Sequence, residues 1–145
     1  MSITTTEDRK GAVRESNLRE WNEGEIDEDL YGEEYVLHDP LGDHNFADVT
    51  KMIEAVRSGT SDFQFRVDDL IGEGDRVVLR YTMTGRNTGA SYLTEEPTGK
   101  SWEASGISIY RFEGEQIVEQ WDNFDYFGVM KQLGLISTEP AASRS

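Results

Sequence analysis

Near the C-terminal end, the run Glu119-Gln120-Trp121-Asp122-Asn123-Phe124-Asp125 sets three carboxylates beside two aromatic rings. In a strand, alternate residues share a face. Glu119, Trp121, Asn123 and Asp125 would then point one way, and Asp122 and Phe124 the other. A carboxylate against apolar neighbours loses hydration, and its pKa rises toward the range where it exchanges protons at neutral pH. Asp125, on the Trp121 face and at the end of the strand, is the first candidate for a general acid or base. Asp122 is the reserve. The competing reading is ordinary: with 29 acidic residues in the chain, most carboxylates must be solvated surface.

His38 follows Tyr35-Val36-Leu37 and precedes Asp39-Pro40, where a helical region hands over to a sheet. A histidine there could relay a proton or orient a carboxylate, or simply bond the backbone as a packing element. His44 lies in a polar stretch and reads as solvent-facing. With Asp39 and Asp43 these histidines are too few and too local for a metal site, and none is expected. Arg80 interrupts the apolar run Val77-Val78-Leu79-Arg80-Tyr81. It would stabilise an anion or enolate inside a pocket, or pair with acids on the outer sheet face. Asn87, Tyr81, Met83, Trp102 and Tyr110 suit either a pocket wall or a core. The glycines near 72, 85 and 99 fit no phosphate loop, and no Gly-x-Ser-x-Gly pattern occurs. Nucleotide binding and serine hydrolase chemistry find no support.

The elements that must hold these residues follow from periodicity. Met1 to Glu7 is polar and reads as a loose start. Apolar positions from Val13 through Leu18, Trp21, Ile26 and Leu30 predict two short helices with a break after Asn22, at Gly24. Tyr35 to Pro40 is extended, because the residue before proline avoids the helix. Asp43 to Ser58 predicts a third helix, with Gly59 just past its end. Alternation at Phe63, Phe65 and Val67 marks a strand, as do Arg76–Thr84, Ser101–Phe112 and Gln116–Asp125, with Gly114 at a hairpin turn. Residues 85–99 read as a loop, and Tyr126 to Leu133 as a short last helix stopped by Gly134. Helices followed by an antiparallel meander predict an α+β domain, with a curved sheet of four to six strands over three helices and a pocket between the layers. One domain spans residues 1–145, with an ordered core of about 13–136.

The chain has 145 residues, room for one core. It has no cysteine, which excludes disulfide scaffolds, iron–sulfur clusters and thiol catalysis. No apolar run approaches the roughly 20 residues of a membrane span, nothing reads as a signal peptide, and a cytoplasmic location is expected. A net charge of -15 repels phosphate backbones, so neither nucleic acid nor a membrane is an expected partner. Ten arginines against four lysines on an acidic surface suggest adaptation to concentrated salt; an ordinary acidic protein is the alternative.

Tyr35-Val36-Leu37-His38-Asp39-Pro40, Glu73-Gly74-Asp75-Arg76-Val77-Val78, Thr84-Gly85 through Thr88-Gly89, Pro97-Thr98-Gly99-Lys100, Glu119-Gln120-Trp121 with Asp125, and Gln132-Leu133-Gly134 occur in an order that resembles the SnoaL-like polyketide cyclases, also called ester cyclases. The likeness runs from about Leu18 to Leu135. It implies the NTF2-like cone with one deep cavity, homodimers through the sheet, and an intramolecular aldol condensation without metal or organic cofactor. The family's acid of the Trp-x-x-x-Asp motif falls on Asp125, and His38 falls on the His-Asp-Pro element. Where many members read Thr-Gly-x-His-x-Gly, this chain has Asn87, which cannot shuttle a proton at neutral pH. The resemblance implies a small, mostly apolar carbonyl ligand, with Trp21, Tyr35, Trp102, Tyr110 and Trp121 as its aromatic wall and Arg80 and Asn87 as polar contacts. Two other readings stay open. One is a binding protein for a small hydrophobic ligand; the other is an epoxide hydrolase or isomerase, which needs two acids flanking an arginine.

Overall fold

The computed structural model describes residues 2–91 and 93–137. Thr5 opens the first helix, α1 (Thr6–Asn22): its hydroxyl accepts the Asp8 N–H at 3.0 Å, and the Asp8 carboxylate accepts the Thr5 N–H at 3.2 Å. This reciprocal cap satisfies two otherwise orphaned donors and starts the helix well before Val13. Of the expected loose start, Met1 to Glu7, the residues Thr6 and Glu7 are helical, and Met1 lies outside the described residues. The break after Asn22 stands, but the second helix is only a 3-10 turn, Glu28–Leu30. The chain then enters β1 (Tyr31–Asp39) directly.

Strand β2 (Gly42–His44) folds back antiparallel on β1, so Asp43 and His44 are strand residues, and α2 (Phe46–Gly59) starts three residues later than the pattern predicted. Asn45 and Asp48 cap α2 in the same reciprocal way. Four strands follow: β3 (Thr60–Glu73), β4 (Arg76–Asn87), β5 (Ser101–Glu113) and β6 (Gln116–Phe124), then helix α3 (Tyr126–Gln132). Gly74 and Gly114, both with φ of 59°, make the tight turns of the β3–β4 and β5–β6 hairpins.

The six strands form one sheet in the order β2-β1-β6-β5-β4-β3, antiparallel throughout except where β1 runs parallel to β6. The α+β class and the curved sheet over helices are as the sequence pattern implied. Register breaks in the β3–β4, β5–β6 and β1–β6 pairs bend the sheet around its helices. Helices α1 and α2 lie against the inner face. Strand β4 turns Val77, Leu79, Tyr81 and Met83 inward, all buried, while β5 turns in Trp102, Ala104, Ser108, Tyr110 and Phe112. Val13, Val77, Leu79, Phe112 and Ile117 pack one end of this interior solid. Among the described residues, no helix is long and apolar enough to cross a membrane.

Candidate active site

Beyond the solid end, the interior opens into a cavity of about 90 Å³ between the sheet and helices α1 and α2. That is several times the ~10–15 Å³ that a cavity needs to admit one water. Val49, Met52, Ile53 and Val56 of α2 form an apolar wall. Opposite them stand the polar side chains of Asn17, Glu20, Tyr81, Ser108, Tyr110, Gln120 and Asp122. No lysine or arginine is among the described residues that line the cavity.

Asp122 is held by one oxygen. Its Oδ1 accepts the Tyr81 hydroxyl at 2.7 Å and the Ser108 hydroxyl at 2.8 Å. Its Oδ2 receives no hydrogen bond from the described residues. Ser108 stands directly opposite Asp122 in the β5–β6 register, and the Gln120 amide donates to the Ser108 hydroxyl at 3.2 Å. Gln120 Oε1 in turn accepts the Tyr35 hydroxyl at 2.5 Å. Burial pushes the Asp122 pKa up to about 6; the Tyr81 and Ser108 hydrogen bonds favour its ionised form and limit the rise.

A second carboxyl faces the cavity from α1. Glu20 is 3% exposed, and its Oε1 accepts the Tyr31 hydroxyl. Burial raises its pKa to about 7; the Tyr31 hydrogen bond opposes that rise and the charge of Asp27 adds to it. Nearby, Asn17 and Tyr110 exchange hydrogen bonds at 3.0 and 3.2 Å. Sequence reasoning missed Glu20. Its only signal was spacing: Val13, Ser16, Asn17 and Glu20 make the buried stripe of α1, and three of these four are polar.

The residues singled out from sequence divide sharply. Trp21, Tyr110 and Asp122 line the cavity. Tyr35 is buried behind it through Gln120, and Trp102 packs into the core against Phe63 and Phe124 at 6.4 and 6.3 Å. Asp125 is corrected outright: it is exposed, and its Oδ1 caps α3 by accepting the Gly128 N–H at 2.9 Å. His38 lies on the outer sheet face, with Nδ1 2.7 Å from Asp43, Nε2 2.8 Å from Glu119, and its ring 5.7 Å from Trp121. The Asp43 and Glu119 hydrogen bonds raise the His38 pKa, and its partnership lowers that of Glu119. Trp121 shares that outer face under the Arg76 guanidinium at 5.1 Å. Arg80 also points outward, 3.8 Å from both Asp68 and Asp69. Asn87 is buried but serves the loop: its amide donates to Gly89 O, and its Oδ1 accepts the N–H and hydroxyl of Thr98. No group of three or more metal-binding side chains is gathered among the described residues.

This topology and cavity fit the family whose motifs the sequence resembles, and the model of the SnoaL-like polyketide cyclases matches residues 11–133. The chain belongs to that family. Its fold is the NTF2-like, ketosteroid isomerase-like cone. No curated protein matches the sequence of this SnoaL-like chain. Among solved structures it is similar to AclR of Streptomyces galilaeus, a candidate hydroxylase, with a TM-score of 0.80 at 22% identity, over 95% of this chain and 92% of that one. It is also similar to TsrD of Streptomyces laurentii, with a TM-score of 0.76 at 27% identity over 87% and 95% of the two chains. A candidate polyketide cyclase of Acidithiobacillus ferrooxidans superposes with a TM-score of 0.69 at 26% identity, over 94% and 100%.

Proposed function

We propose that this SnoaL-like protein is a cyclase- or isomerase-type enzyme that removes the α-proton of a small, mostly apolar carbonyl compound, with Asp122 as the base. One observation carries the reading: Asp122 lines the cavity with both of its hydrogen bonds on Oδ1, leaving Oδ2 for a ligand. Apolar walls hold the hydrocarbon part, and a carboxyl with a pKa of about 6 is ionised at neutral pH yet still basic. The epoxide hydrolase alternative loses ground, because Arg80 lies on the opposite face of the sheet from the two inward acids. Homodimers through the sheet belong to the same proposal, supported by the exposed outer-face side chain of Ile107 on β5; light scattering tests them.

The test needs no knowledge of the natural substrate. 2-Tetralone is a mostly apolar carbonyl compound, and its α-hydrogens can be followed by NMR in D2O. The protein should accelerate deuterium uptake over buffer, and Asp122→Asn should remove about 100-fold or more of that acceleration. No acceleration by the parent protein, or equal rates in the variant, overturns the proposal and leaves a ligand-binding protein.

A further inference from the structure

The proposed proton abstraction leaves Glu20 without a role, although it lines the same cavity. The groups facing it are Asn17 on its own helix, Asp27 ahead of β1, Tyr31 and Tyr35 of β1, and Tyr110 of β5, with Gln120 and Asp122 of β6 on the same cavity wall. None carries a positive charge, and no lysine or arginine pairs with Glu20 among the described residues. A carboxylate buried without a counter-ion is costly, so the neutral acid is the favoured form. In that form one oxygen accepts from Tyr31 and the other carries a proton. Oε2 has no hydrogen-bond partner among the described residues. Tyr35 and Tyr110 both lie within the electrostatic reach of Glu20 and Asp122, so the two carboxyls flank one space.

Building on the assignment of Asp122, we propose that Glu20 is the proton donor of the cavity: its Oε2–H protonates the substrate carbonyl oxygen while Asp122 Oδ2 takes the α-proton. The C–H electron pair becomes the C=C bond, and the carbonyl π pair moves to oxygen and takes the Glu20 proton. The product is a neutral enol, with Asp122 protonated and Glu20 ionised. When the enol carbon attacks a second carbonyl, the new alkoxide takes the Asp122 proton and the enol O–H returns its proton to Glu20. Both groups are restored. Substrates are therefore carbonyl compounds whose oxygen meets α1 when their α-carbon meets β6.

The pH profile of 2-tetralone exchange separates the two assignments. The parent should give a bell, rising as Asp122 ionises and falling as Glu20 ionises, with apparent values that belong to the pair. Glu20→Gln keeps a hydrogen-bond donor but cannot transfer a proton; the rate should fall about 10- to 100-fold and the alkaline limb should vanish. Tyr31→Phe removes the bond that favours ionised Glu20, so the alkaline limb should move to higher pH. An alkaline limb unchanged in Glu20→Gln overturns the donor role while leaving Asp122 as base. A binding measurement stands apart from turnover. At pH 6 the parent should prefer 2-tetralone over tetralin by about tenfold, and Glu20→Leu should lose that preference. Retained preference in Glu20→Leu overturns the proposal even if no variant exchanges deuterium.

Discussion

The Tyr81 hydroxyl reaches Asp122 Oδ1 across an intervening strand, passing over Gly106. Tyr81 is paired with Gly106 in the β4–β5 register, and a Cβ built at Gly106 would lie 2.3 Å from the Tyr81 hydroxyl oxygen. Glycine at this position opens the path along which β4 holds a side chain of β6. Phe65 and Phe124 stack on the Tyr81 ring at 5.0 and 6.3 Å and keep it flat against the sheet.

Tyr81→Phe should therefore raise the Asp122 pKa, since the hydroxyl favours the ionised form. The acid limb of the 2-tetralone exchange profile should move up by about one pH unit. Gly106→Ala should shift the profile the same way by displacing the tyrosine, and should also cost about 1–3 kcal/mol in urea unfolding. An unmoved acid limb in both variants would show that Tyr81 does not tune Asp122.

Stability should fall with rising pH because of the same carboxyls. Glu20 sits at about 7 against an ordinary 4.5, and Asp122 at about 6 against 3.8. Each native pKa is raised, so the contribution is fully present below the unfolded value and is lost as pH rises through the native one. For Glu20 the loss between pH 5 and pH 8 is about 2 kcal/mol. Glu20→Gln should therefore gain about that much on the parent protein over the interval, read by urea unfolding at the two pH values. Asp68 and Glu119 are shifted downward, so their contributions are lost only in more acid solution. A Glu20→Gln effect equal at both pH values would place Glu20 at an ordinary pKa.

Asp125→Ala should lose about 1 kcal/mol of stability through the missing cap on α3, while Asp125→Asn retains it. Both should exchange deuterium as the parent does. His38→Gln should do so too, because its ring lies on the outer face between Asp43 and Glu119. Collapse of exchange in Asp125→Asn would return the base role to that residue.

The net charge of -15 carries its own expectation. At about 1 M KCl the Debye length falls to about 3 Å, so self-repulsion on a salt-adapted surface is relieved. The melting temperature should rise from dilute to molar KCl. No rise would identify an ordinary acidic protein.

Much of the architecture was legible. The α+β class, the helix stop at Asn22, the Gly114 hairpin and the two faces of β6 all follow from local periodicity and turn chemistry, which neighbouring residues decide among themselves. The start of α1 was misplaced because Thr5 and Asp8 fix it through a cap, whereas the apolar count begins only at Val13. Glu20 stayed hidden because a polar residue on a helical stripe looks like surface until something packs over it.

On β6 the alternation grouped Asp122 with Phe124 and Glu119 with Trp121, and that grouping holds, whereas Asp125, expected beside Trp121, falls past the end of the strand and caps α3. Which group faces inward was a different matter. A period of two has no sign: it says which side chains agree, not which side the helices will cover. Trp121 suggested the interior, yet it found its cover outside, under Arg76 and beside His38. The inner face went to Asp122 because Tyr81, Ser108 and the opening at Gly106 come from other strands. The amino-acid sequence alone thus determined most of the elements, the acid-rich surface and the two possible faces of the last strand. Only tertiary packing chose between those faces, because the partners that desolvate a carboxyl and hold its proton lie far from it along the chain.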